Sequence, residues 1–152
     1  MKKYLEDPRE ELKRADHLLY VSLKYTRTVD VIKSIIDRLI STLDLTLDGL
    51  LEYAKEEKII NEVPTNVGIK AGQAKKSFDD ETIHEMCNFF LYLRKISRAE
   101  YKRAREYRRH VTMTAITDEG IIDINMDIIK EHYDRTRKYV EYVETLIFGK
   151  EE

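Results

Sequence analysis

Between positions 102 and 112 the chain reads KRAREYRRHVT, with four arginines and one histidine in eleven residues. These residue types suit a particular chemistry. A guanidinium is a planar, permanently charged fork that matches phosphate oxygens. An imidazole titrates in the range where general acid–base catalysis operates. A merely solvated helix face mixes Lys and Glu freely, as KEHYDRTRKYVEY does near the end of the chain. Here Lys102, Arg103, Arg105, Arg108 and Arg109 stand against the single acid Glu106. His110 with Arg103 and Arg105 is therefore the candidate catalytic group. Lys102, Tyr107, Arg108 and Arg109 are candidates for holding a phosphate or stacking on a base.

Other chemistries are poorly supplied. Glu81 and His84 have the Glu-x-x-His spacing of carboxylate-bridged metal bundles, but His17, His110 and His132 have no Glu three positions earlier. A lone Cys87 makes no zinc cage, and in an apolar helix it reads as a small core residue. The chain shows neither a Gly-x-Ser-x-Gly elbow nor a phosphate-binding loop of Walker spacing. No metal or cofactor is expected. His17 and His132 read as polar or edge positions on helices.

Which elements position the cluster follows from periodicity. Asp7-Pro8-Arg9-Glu10 has the form of a helix start. Apolar residues then repeat at helical spacing from Leu12 to Leu23 and from Val29 to Ala54. An unbroken helix from Pro8 to Lys58 would be about 75 Å long, too long for a domain of this size. The spacing thus predicts a break at Thr26-Arg27-Thr28. Positions 61–76, punctuated by Pro64, Gly68 and Gly72, read as a surface loop. A helix from about Ser77-Phe78-Asp79-Asp80, apolar on nearly every side, is expected to be the most buried one. Ser97-Arg98-Ala99-Glu100 has the form of a capping box and predicts a further helix to about Thr112. Thr117-Asp118-Glu119-Gly120 marks a turn, and the last helix runs from about Asn125 to Phe148.

The expected fold is all-α, an up-and-down bundle of about five helices with no sheet, forming one domain over 1–152. On a regular helix Arg105 and His110 would stand about 140° and 7.5 Å apart. They would meet at one phosphate only if the helix frays near His110 or a dimer completes the site; otherwise Arg103 is the partner.

The length of 152 residues suffices for a real core, and 37% of them are charged. A net charge of −2 gives no global basic field, so any nucleic-acid contact has to be a local patch. The single cysteine fits a reducing cytoplasm, and the charged N-terminus with no long apolar run predicts neither secretion nor a membrane span.

The arrangement of an Arg, four to six residues, then a His, late in a small helical bundle and followed by one long terminal helix, resembles the HEPN domain family. Arg105 to His110 fits that motif. The resemblance implies an RNA-binding protein, in many members a metal-independent endoribonuclease working as a homodimer. Others in the family are non-catalytic RNA-binding or interaction modules. It also implies a toxin-like role beside a nucleotidyltransferase-type antitoxin, whose target Tyr would fall where this chain has Thr112. The alternative is a non-catalytic helical dimer serving as scaffold, regulator or nucleotide- or RNA-binding module.

Overall fold

A computed structural model describes residues 3–151. It opens with α1 (Lys3–His17), a π-helical turn (Leu18–Ser22) and a last short turn, α2 (Leu23–Tyr25). α3 (Val29–Glu56), α4 (Val67–Ser77) and α5 (Glu81–Arg98) follow. Three strands come next, β1 (Glu100–Ala104), β2 (Thr112–Thr117) and β3 (Gly120–Ile124), and α6 (Met126–Glu151) closes the described chain. The strands form one antiparallel sheet in the order β1-β2-β3.

The chain breaks where its size required. Thr26, Arg27 and Thr28 lie outside any helix, and the Thr28 side chain accepts from Val31 N at 3.4 Å to cap α3. α3 is the axis of the molecule, packing against α1, α4, α5 and α6. Ile32, Ile35, Ile36, Leu39, Leu43, Leu47, Leu50 and Leu51 are all fully buried along it. The most buried helix is thus α3 and not α5, which keeps Leu91 and Tyr92 partly in water. Cys87 on α5 is a core residue, and burial pushes its thiol up to about 11, which keeps it protonated and inert.

Three local expectations are corrected. α1 is already helical at Lys3, so Pro8 lies inside it, buried, and does not open it. Positions 61–76 are not wholly loop, because α4 begins at Val67. Asn66 caps it by accepting from Ile69 N at 3.2 Å. Its buried side consists of Ala71, Ala74 and the Lys70 stem, whose ammonium reaches Asp44 and Asp48 of α3 at 3.1 and 2.9 Å. No apolar stripe announces such a helix.

The third correction concerns the arginine-rich segment. Residues 97–112 do not continue as a helix, and the all-α expectation gives way to a helical bundle carrying a small sheet. Ser97 caps nothing here. Its hydroxyl donates to Asp37 Oδ1 at 2.7 Å and accepts from Lys33 Nζ at 3.1 Å, still within α5. Ala99 is extended, and β1 pairs with β2 from Glu100↔Ile116 to Ala104↔Thr112. Val111, Met113 and Ala115 are fully buried and alternate with more exposed Thr112, Thr114 and Ile116. That is the period of a half-buried strand. Asp118 and Glu119 form the β2–β3 turn as expected, tied to α5 by Lys95 at 3.0 and 2.6 Å.

α6 and α5 also share an aromatic cluster. His132 lies edge-on to Phe89 and Tyr92, at centroid distances of 5.4 and 6.1 Å. Its Nε2 is buried without a hydrogen-bond partner among the described residues. Burial pushes the imidazole below its usual value, with Glu131 opposing and Arg135 assisting. A base whose pKa is lower when folded takes up its proton more readily in the unfolded chain. Its contribution is therefore complete above the unfolded value of about 6.5 and is lost as pH falls toward the lowered folded value. His132→Phe is expected to flatten the fall in thermal stability between about pH 7 and about pH 5, read from melting temperatures across that range. An unchanged slope would refute this assignment.

Candidate nucleic-acid interface

The arginine-rich segment is a loop, 105–111, between β1 and β2. Its two ends are fixed by the register pair Ala104↔Thr112 and by fully buried Val111. Thr112 Oγ1 donates to His110 O at 2.8 Å, and Val111 N donates to Arg108 O at 3.1 Å. The middle of the loop is pinned to the chain break before α3. Tyr107 N donates to Arg27 O at 2.6 Å, and Glu106 Oε2 accepts from Val29 N at 3.3 Å. A carboxylate at the N-terminus of α3 satisfies a free backbone donor and faces the positive end of the helix dipole.

This anchoring holds the backbone in costly conformations. Arg105 and Tyr107 have φ of 54° and 64°, the left-handed region that side chains with a Cβ disfavour. Each such residue costs about 1–3 kcal/mol unless its surroundings enforce it. Glu106, between them, is one of the two enforcing contacts, beside the bond from Tyr107 N to Arg27 O. Glu106→Ala is expected to lower stability by about 1 kcal/mol, the usual value of a lost N-terminal cap. Chemical denaturation checks this, and a loss below a few tenths would show that the loop does not need the tether.

The strained loop makes Arg105, Arg109 and His110 line one cleft of about 320 Å³, together with Thr112 and Arg27. The opposite wall is the start of α6, where Asn125 accepts from Ile128 N at 2.9 Å and Asp127 lines the cleft. Three guanidiniums against one carboxylate leave the space net positive. The first backbone N–H groups of α6 add the positive end of a long helix dipole. His110 is exposed, so its ring is open to solvent and to a ligand.

The other sequence candidates are placed differently. Arg103 does not line the cleft. It reaches Asp30 at 2.8 Å and Glu106 at 3.8 Å, with Tyr101 beneath it, so its place is beside the loop as a brace. Asp30 is the main cause that raises its pKa. Lys102 and Arg108 are exposed and outside the cleft. Tyr107 lines a neighbouring hollow that also contains Arg27. His84, the one half of a metal motif, bonds through Nε2 to the carbonyls of Lys75 and Phe78 at 3.0 and 2.9 Å and holds the α4–α5 connection.

Periodicity did not mark Arg27, Asn125 or Asp127 as site residues. The available signals were a charged residue in an enforced chain break and the cap position of the last helix. A larger hollow of about 410 Å³ lies between α5 and β2, with Arg94, Lys95, Arg98 and Ile116 in its lining, but it includes no imidazole. Among the described residues, no helix is long and apolar enough to cross a membrane. No family model, curated protein or solved structure matches the chain.

Proposed function

We propose that this protein binds single-stranded RNA at the cleft between the β1–β2 loop and the start of α6, and cleaves it there without a metal ion. The observation carrying this reading is the convergence of Arg27, Arg105, Arg109 and His110 on one accessible cleft. Arg105 and His110, the pair that resembles the HEPN motif, lie on opposite sides of a regular helix but on one cleft when carried by a loop.

In the reaction the RNA 2′-oxygen attacks the adjacent phosphorus and the bond to the 5′-oxygen breaks. The products are a 2′,3′-cyclic phosphate and a free 5′-hydroxyl. His110 takes the 2′-hydroxyl proton and returns a proton to the departing 5′-oxygen. Arg105, Arg109 and Arg27 carry the charge that builds on the phosphorane oxygens. Asp127 stands on the facing wall of the same cleft. Arg103 positions the loop.

The reading includes a homodimer that brings two clefts together, which doubles the local positive charge of a chain with net charge −2. A nucleotidyltransferase-type antitoxin is the partner that the family resemblance suggests. The test of function is a cleavage assay on unstructured RNA with chelator present, comparing wild type, His110→Ala and Arg105→Ala. Sedimentation at several protein concentrations tests the dimer.

A further inference from the structure

The hollow beside the cleft has a composition of its own. It measures about 290 Å³ and is lined by Lys24, Tyr25, Arg27 and Tyr107. Tyr25 ends α2 and Tyr107 sits in the β1–β2 loop, and the two are 79% and 77% exposed. A tyrosine ring gains stability by burial, so two rings in water beside cations contribute little to the core.

Tyr107 is not exposed through fraying. Its N–H is tied to Arg27 O at 2.6 Å, its φ is 64°, and Glu106 before it is tied to the start of α3. The fold therefore bears backbone strain to hold an aromatic face in solvent next to a cation-lined cleft. Lys24 Nζ lies 5.9 Å from the centre of the Tyr25 ring, which places a second cation at this hollow. Arg27 lines both spaces, so an anion in the cleft and a planar group in the hollow can belong to one ligand.

We infer that Tyr25 and Tyr107 form a shelf for an unpaired nucleobase whose phosphate lies in the Arg105–Arg109–His110 cleft. This rests on the RNA-binding reading and adds the feature that selects the substrate. A duplex keeps its bases stacked on one another and offers only their edges, whereas a single strand can place a base face on tyrosine. The shelf thus makes the site specific for unpaired strands while remaining indifferent to which base is presented. Lys24 and Arg27 give the strand's charge a path between the two spaces.

The test uses the full chain carrying His110→Ala, so that the strand survives, and fluorescence anisotropy with an end-labelled oligoadenylate of ten nucleotides. An abasic ribose-phosphate strand of equal length is the second probe, and AMP is the competitor. The oligoadenylate is expected to bind about tenfold or more tighter than the abasic strand, as stacking by one or two aromatic side chains gives. Tyr25→Ala with Tyr107→Ala should erase that difference. Tyr25→Phe with Tyr107→Phe, which keeps both ring faces, should preserve it. If the double alanine variant still prefers the oligoadenylate while Arg105→Ala weakens both strands, the shelf is wrong and the RNA-binding reading stands. Binding of neither strand overturns both. AMP binding as tightly as the strand would give the shelf to a free nucleotide and overturn its role in strand selection.

Discussion

Replacing His110 with alanine is expected to lower the rate of RNA cleavage about 10²–10⁴-fold, the usual contribution of one general acid–base group, while binding changes little. The asymmetry follows from position. His110 is exposed at a cleft whose positive charge comes from Arg27, Arg105 and Arg109, so its removal leaves those guanidiniums in place. Arg105→Ala is expected to act on both steps, because a guanidinium that holds a ground-state phosphate also meets the charge that builds in the transition state. The affinity that remains should fall steeply with salt, by a slope of about 0.7 for each phosphate neutralised on a single strand. Chelator should change nothing in wild type. Equal cleavage by wild type and both variants, or cleavage by none, eliminates the nuclease reading. Loss in His110→Ala with unaltered strand affinity separates a chemical role from a binding role.

The sequence carried the helical part of this fold in its apolar spacing, and the reason is local. Ile32, Ile35, Ile36, Leu39 and Leu43 recur at helical intervals because one continuous segment buries them, so the pattern lies within a single window of chain. The hairpin escaped the same treatment for a physical reason. Tyr101, Ala104, Val111 and Ala115 happen to fall on a helical stripe, and Ala, Arg and Glu favour helices. What decides for strands is the pairing of 100–104 with 112–116, a non-local event with no short-range signature. α4 was missed for the opposite reason, since Lys70 joins it to α3 through Asp44 and Asp48 without an apolar stripe. At the site, the types and spacing of Arg105, Arg109 and His110 were legible. Arg27 and Asp127 were not, because the fold and not the chain brings them near. The contact of Glu106 with Val29 spans 77 positions.

Met113→Ala is expected to cost about 2–5 kcal/mol, a large part of the stability of a small domain. Met113 is fully buried near the start of β2, between Val111 and Ala115 on the face turned to the helices. β2 is also the central strand, paired on one side to β1 and on the other to β3. A three-stranded sheet of five- and six-residue strands depends for its stability on packing one face against helices. β2 meets both α3 and α5, so the cavity left by the thioether side chain opens where sheet and bundle join. The loop 105–111 begins and ends at the register pair next to this position, Arg103↔Met113 being one step inside Ala104↔Thr112. A loosened β2 therefore releases the strain that holds Arg105 and Tyr107 in their unusual backbone conformations, and the cleft disperses with it. Urea denaturation followed by circular dichroism gives the stability loss, and anisotropy with the labelled strand gives the affinity. Thr114→Ala, on the other face of the same strand with its hydroxyl donating to Asp123 Oδ1 at 2.8 Å, is the control with a loss below about 1 kcal/mol. Comparable losses from both substitutions would mean that the sheet is not held through its inner face, and the mechanical link from core to cleft would fail.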